Sequence, residues 1–151
     1  PEIEHGIVNL HTGLSPYSRG GNCNLFMLLE GHPEWVGVTV HHIDAGIDSG
    51  DIIASAQLPL EVDDTWACID ARTFRVGFDL LLDAADRVIA GTAPRVSQWE
   101  KGKLFLRRTG YRYEPFHQVL VDRAIEDGLI ARYHAHRSEI DRAVRTVPLD
   151  P

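Results

Sequence analysis

Gly6-Ile7-Val8-Asn9-Leu10-His11-Thr12-Gly13-Leu14-Ser15-Pro16-Tyr17-Ser18-Arg19-Gly20-Gly21 is the stretch on which the reading of the fold turns. Residues 6–10 form a short, mainly apolar run, and Gly, Ser and Pro break it soon afterwards. That pattern predicts a buried strand running into a loop. On a strand, residues two apart project from the same face. Asn9 and His11 therefore point together as the chain enters a loop that carries Gly13, Ser15, Tyr17 and Arg19.

Beyond this loop, Asn22 is placed to cap a helix reaching about Gly31, with Leu25, Leu28 and Leu29 on one face. Residues 35–43 alternate and are β-branched, which predicts a strand. Residues 44–50 form a second glycine-bearing loop, and residues 51–60 a strand antiparallel to its predecessor. Eight of the 13 glycines fall within residues 1–50, so the first third alternates short strands with loops. Asp63 and Asp64 stand where a helix over residues 65–90 would begin, as the helix dipole favours. Its apolar positions are Ala67, Phe74, Phe78, Leu81, Leu82, Ala85, Val88 and Ile89, and Gly91 ends it. Residues 96–99 and 104–107 read as a hairpin across Lys101-Gly102-Lys103. Residues 115–126 and 134–144 read as helices, with Asp127-Gly128 as the break.

The 151 residues are 44% hydrophobic and 25% charged, a globular composition of about one domain's size. Disorder, collagen and a disulfide-scaffold miniprotein are excluded. No apolar run approaches the roughly 20 residues of a membrane helix, so no membrane partner is expected. The opening Pro1-Glu2-Ile3-Glu4-His5 lacks the pattern of a signal peptide. The net charge of −7 is uneven: residues 1–60 carry one base, Arg19, whereas residues 92–151 carry eleven. An acidic whole argues against a nucleic-acid partner. The group Arg95, Lys101, Lys103, Arg107, Arg108 and Arg112 reads as a solvated face, with phosphate contact as its other use. Cys23 and Cys68 have no metal-site spacing, which implies free thiols, a reducing compartment and a cytoplasmic location.

An amide, an imidazole and a carboxylate in one cleft form a coherent chemical set. Imidazole exchanges a proton near neutral pH, a carboxylate orients it, and an amide donates to a developing oxyanion. Attack on a carbonyl by an external nucleophile needs no more. Each residue also has a structural explanation: Asn9 satisfying backbone groups, His11 held in a loop, and Asp44, Asp48 and Asp51 serving turns. Eight histidines invite a metal-dependent hydrolase, but no HExxH or spaced triad occurs, and no metal is assigned.

Asn9-x-His11, then Leu14-x-Pro16-x-x-Arg19-Gly20, then Gly37-Val38-Thr39, then Asp44-x-Gly46-Ile47-Asp48-Ser49-Gly50-Asp51-Ile52 occur in order. This order resembles the formyltransferases that use 10-formyltetrahydrofolate. The resemblance implies an α/β fold: a Rossmann-type sheet with flanking helices, followed by a C-terminal hairpin and helical extension. It divides the chain into residues 1–91, part of the catalytic domain, and residues 92–151, the extension. It further implies that several β-α units, about 80–100 residues, precede the Asn9 strand.

By the same resemblance, His11 assists proton transfer as a substrate amine attacks the formyl carbon. Asn9 stabilises the oxyanion, and Asp48 orients His11 and helps deprotonate the amine. Asp44, Gly46, Ile47 and Asp48 would meet the folate co-substrate, and Gly13, Ser15, Tyr17 and Arg19 the substrate. Many members carry His-Pro-Ser where this chain has His11-Thr12-Gly13. The His11-to-Gly20 wording resembles the sugar N-formyltransferase branch, which acts on nucleotide-linked amino sugars. Lys103-Leu104-Phe105, Arg107 and residues 126–133 resemble its later segments, which would bind the sugar nucleotide or form a homodimer face. Methionyl-tRNA and glycinamide ribonucleotide formyltransferases are the alternatives within the family. A catalytically inactive binding or dimerisation module is the alternative outside it.

Overall fold

The computed structural model describes residues 6–149; the opening pentapeptide lies outside them. Strand β1 (Val8–His11) and strand β4 (Ile52–Gln57) flank β3 (Gly37–His42). Both pairings are antiparallel. A parallel pairing occurs in a second, two-stranded sheet, between β2 (Ser18–Gly20) and β5 (Lys103–Phe105). Among the helices are α1 (Cys23–Leu29), α2 (Trp66–Ile89), α3 (Phe116–Glu126) and α4 (Leu129–Ile140). In this α/β architecture β3 is the central strand, and the β3–β4 loop leaves it at the end where His42 stands opposite Val8 of β1.

Residues 96–99 and 104–107 do not form the expected hairpin. Val96 instead bridges Ile52 as an antiparallel neighbour of β4, while Lys103 N–H donates to the Tyr17 carbonyl oxygen at 2.8 Å. Each half finds an earlier strand to pair with. Gly102 permits the close crossing: its φ is +55°, and a Cβ there would collide with the Pro16 carbonyl.

Helix starts and faces also differ from expectation. Asn22 occupies the position before α1 but makes no side-chain cap, having a left-handed φ of 54°. Thr65, not Asp63 or Asp64, caps α2, its hydroxyl accepting from Cys68 N–H at 3.3 Å. Asp64 turns back to accept from Glu61 N–H at 2.8 Å and pairs with both Arg72 terminal nitrogens at 2.6 and 2.7 Å. Helix α4 begins at Leu129, earlier than expected, because Gly128 makes the break with a φ of 89°.

Helix α2 carries two apolar stripes. Ile69, Thr73, Gly77 and Ala84 are buried. The small residues let the helix approach the sheet closely, with Gly77 over Leu10. Phe74, Phe78, Leu82 and Ile89 form the other stripe and are exposed. Of the apolar positions that periodicity picks out, Leu81 and Val88 pack against the smaller core, whereas Phe74, Phe78, Leu82 and Ile89 face outward and small side chains take the closest approach.

The larger core joins residues from both segments of the chain. Leu25, Met27, Val36 and Ile69 pack with Phe105, Val121, Ile125 and Ile130. The C-terminal segment is clasped as well: Ser55 N–H donates to the Val147 carbonyl oxygen at 2.8 Å, and Val147 N–H donates to Ser55 Oγ at 2.9 Å. Among the described residues, no helix is long and apolar enough to cross a membrane.

Candidate active site

The pairing of β1 with β3 sets Asn9 opposite His41 and His11 opposite Thr39. A register shift between Val40 and His41 then carries β3 towards the Asp44–Gly50 loop. The loop is held by Asp44, whose carboxylate accepts from Gly46 N–H at 3.0 Å and from the Ser49 hydroxyl at 2.9 and 3.0 Å. Asp48 has a left-handed φ of 45°, a conformation that Asp and Asn tolerate better than other side chains. Gln98 fixes this bend by donating to the Asp48 carbonyl oxygen at 2.8 Å and to that of Gly50 at 3.1 Å.

Asp48 is the hub. Its Oδ2 accepts from Gly20 N–H at 2.9 Å and lies 3.5 Å from His11 Nδ1. Its Oδ1 lies 3.5 Å from His41 Nε2 and 3.5 Å from Asn9 Nδ2. Asn9 Nδ2 is also 3.3 Å from His41 Nε2. Asn9, His41, Ile43, Asp44, Gly46, Ile47 and Asp48 line a cavity of about 280 Å³. Ile43 and Ile47 supply an apolar wall, and the Asp44 and Asp48 carboxylates supply acceptors.

His11 sits behind this cavity, 5% exposed, with Nε2 facing the Ser18 carbonyl oxygen at 3.1 Å. A carbonyl only accepts, so Nε2 carries the proton and Nδ1, beside Asp48, is the basic nitrogen. Gly13 makes room for the ring: a Cβ there would stand 2.4 Å from Nε2.

The electrostatics separate the two histidines. Burial pushes the His11 pKa down, against the pull of Asp48. At His41 burial acts in the same direction, but the Asp48 hydrogen bond, the His42 carbonyl and the charges of Asp48 and Asp44 outweigh it and raise the pKa. Burial of Asp48 opposes ionisation, yet His41, His11 and Gly20 N–H together bring its pKa down to about 2.

Arg72 and Glu61 N–H similarly overcome burial to depress Asp64. Both carboxyls titrate below their unfolded value near 3.9, so the unfolded chain binds more protons in that interval. Their stabilisation is full above about pH 5 and is lost progressively as pH falls through the unfolded value towards the lower folded ones. Thermal unfolding midpoints should fall between pH 5 and 3, and Asp64→Asn should flatten that fall. An unchanged slope in the variant would remove Asp64 from this account.

The loop residues expected at the substrate are placed differently from one another. Gly13, Ser15 and Tyr17 are buried. Ser15 N–H donates to Thr39 Oγ1 at 2.9 Å. Tyr17 stacks on Trp35 with ring centroids 5.6 Å apart, and its hydroxyl accepts from Arg145 N–H at 2.6 Å. These three shape the loop from within and do not line the cavity. Arg19 is half-buried and donates to the Lys101 carbonyl oxygen at 2.5 Å. Both cysteines are free, Cys23 buried and Cys68 exposed. Among the described residues no cluster of three or more His, Cys, Asp or Glu is arranged to hold a metal.

Sequence reasoning missed His41 and Gln98. The signal for His41 was its place on the Thr39 face of an alternating strand, and it became readable only once Asn9 was paired with it. Gln98 carried no signal, since its partners are backbone carbonyls of a distant loop.

The sequence model of the family described as Formyl transferase matches residues 1–85. The chain belongs to this family. It is 40% identical over 94 residues to a methionyl-tRNA formyltransferase of Latilactobacillus sakei subsp. sakei (strain 23K), covering 62% of this chain and 29% of that protein. It is 34% identical over 101 residues to a dTDP-4-amino-4,6-dideoxyglucose formyltransferase of Mycobacterium tuberculosis (strain ATCC 25618 / H37Rv), covering 67% of this chain and 42% of that protein. The fold is similar to that of the formyltransferase PseJ from Anoxybacillus kamchatkensis, solved with UDP-4,6-dideoxy-4-formamido-L-AltNAc and tetrahydrofolate. The TM-score is 0.61 at 28% identity, covering 67% of this chain and 52% of that one. The chain thus spans less than half the length of these two curated relatives.

Proposed function

We propose that this chain carries the reacting end of an N-formyltransferase that moves the formyl group of 10-formyltetrahydrofolate to the amine of a nucleotide-linked amino sugar. The observation that carries the reading is the meeting of Asn9, Asp48 and the Asp44–Ser49 loop at one cavity, with His11 behind Asp48. The amine nitrogen forms a bond to the formyl carbon, and the folate N10 leaves with the electrons of the broken C–N bond. An amine proton goes to the Asp48–His11 pair. Asp48 is too weak a base to hold it, whereas buried, neutral His11 offers a lone pair at Nδ1 and gains an imidazolium that Asp48 stabilises. The proton then passes to the departing N10. Asn9 lines the cavity, and its amide is the group that would donate to the oxygen that becomes negative in between.

The sugar reading is supported by the His11-to-Gly20 wording, by the similarity to the sugar nucleotide enzymes and by an acidic chain ill-suited to tRNA. The identity to a methionyl-tRNA formyltransferase supports the second reading. Formyl transfer from 10-formyltetrahydrofolate, measured in parallel on nucleotide-linked amino sugars and methionyl-tRNA, separates them. Transfer to amino sugar, lost in His11→Ala, is the expected result. Transfer to tRNA alone would install the second reading, and full rate in His11→Ala would remove the role given to His11.

A further inference from the structure

An Asn amide presents either end, and its neighbours decide which. The donor requirement of an oxyanion demands that Asn9 turn its Nδ2 into the cavity. In the structure that nitrogen is spent elsewhere, facing His41 Nε2 at 3.3 Å and Asp48 Oδ1 at 3.5 Å. We propose that His41 is a positioning residue that sets which end of the Asn9 amide faces the substrate. The proposal rests on the formyl-transfer reading above and deepens it.

The argument starts at the other side of the ring. His41 Nδ1 is 2.8 Å from the His42 carbonyl oxygen, which can only accept, so Nδ1 keeps a proton in every state. All variation is therefore at Nε2. Neutral His41 offers a lone pair there, takes a hydrogen bond from Asn9 Nδ2, and leaves the amide oxygen as the end free for the cavity. A carbonyl oxygen facing a developing oxyanion is repulsive. Protonated His41 carries a hydrogen at Nε2, which conflicts with the Asn9 amide nitrogen. Turning the amide over relieves the conflict: Nδ2 gives up its contact with Asp48 and faces the cavity with hydrogens to donate, while the amide oxygen shares the single Nε2 hydrogen with Asp48 Oδ1.

The surroundings favour the protonated form. The titratable groups facing His41 are Asp48 and Asp44 from the β3–β4 loop and His11 from β1, with His42 adjacent on β3. The carboxylate at 3.5 Å stabilises an imidazolium, and 3% exposure keeps water from competing for Nε2. His11, 6.4 Å away between ring centroids, is kept neutral by its burial, with a smaller push from the His41 charge and against the pull of Asp48. One histidine thus holds charge while the other remains a base, with Asp48 between them.

Nitrogen-15 NMR on chain labelled at histidine and asparagine reads the switch without turnover. His41 Nδ1 is expected to stay protonated while Nε2 titrates with a midpoint above 6.5, and the Asn9 side-chain amide signals should shift with that midpoint. A His41 that keeps its proton on Nε2 when neutral, or Asn9 signals that ignore the titration, would overturn the proposal. In the transfer assay, His41→Leu should lower kcat on the order of 100-fold with KM for the folate changed less than about threefold. His41→Gln, a donor that cannot titrate, should recover most of the rate and lose the fall in kcat above the His41 midpoint. Equal losses in both variants, with no change in pH profile, would mark His41 as packing only. Absence of transfer by the unaltered protein would defeat the functional reading, while the NMR result would still decide the role of His41.

Discussion

Asp48→Asn should lower kcat for formyl transfer on the order of 10³-fold while leaving the fold in place. Asparagine tolerates the left-handed backbone at this position, so the bend held by Gln98 survives. The amide oxygen still accepts from Gly20 N–H. What disappears is the negative charge between His11 and His41, and with it both halves of the proposed chemistry. The imidazolium formed at His11 loses its counter-charge, and the His41 midpoint falls, returning the Asn9 amide to the wrong orientation. Steady-state kinetics together with the unfolding midpoint test this. A kcat within about fivefold of the unaltered protein, or a loss of rate matched by loss of fold, would refute it.

The largest expected effect on stability is at Phe105. Its side chain is 1% exposed, stacks with Phe26 at 5.5 Å and meets Tyr111 edge-on at 4.6 Å. Truncating a buried aromatic ring costs about 3–5 kcal/mol, partly through the cavity left behind. For a chain of this length that lowers the unfolding midpoint by roughly 8–15 °C. Tryptophan fluorescence during urea unfolding of Phe105→Ala measures the loss, and a change below about 1 kcal/mol would mean that β5 is not part of the core. Activity should fall further than stability explains. Phe105 pairs with Gly20 across β2 and β5, and Gly20 N–H is one of the donors that fix Asp48.

Much of the frame was legible because its elements obey local rules. The β-branched alternation of β3, the antiparallel return of β4 and the periodic length of α2 all follow from patterns within one segment. The failures share a cause. Val96 and Leu104 chose distant strands and not the hairpin, and α2 settled on Gly77 and Ala84 because the sheet rewards close approach. Neither preference is written in the local pattern. At the site, motif spacing brought forward Asn9 and Asp48, which do meet. It gave no account of His11 turning to the Ser18 carbonyl or of His41 entering the cavity, since both depend on strand register.

The clasp on Tyr17 has a consequence for how the molecule is made. Its hydroxyl meets the Arg145 backbone across 128 positions of chain, and Ser55 meets Val147 across 92. Contacts of such separation form late, because the loop they close must be ordered first. During synthesis the loop after β1 leaves the ribosome well before residues 145–147 and waits for them before its inner face is covered. Agents that trap nascent chains should therefore find this loop open after the β3–β4 pair has formed.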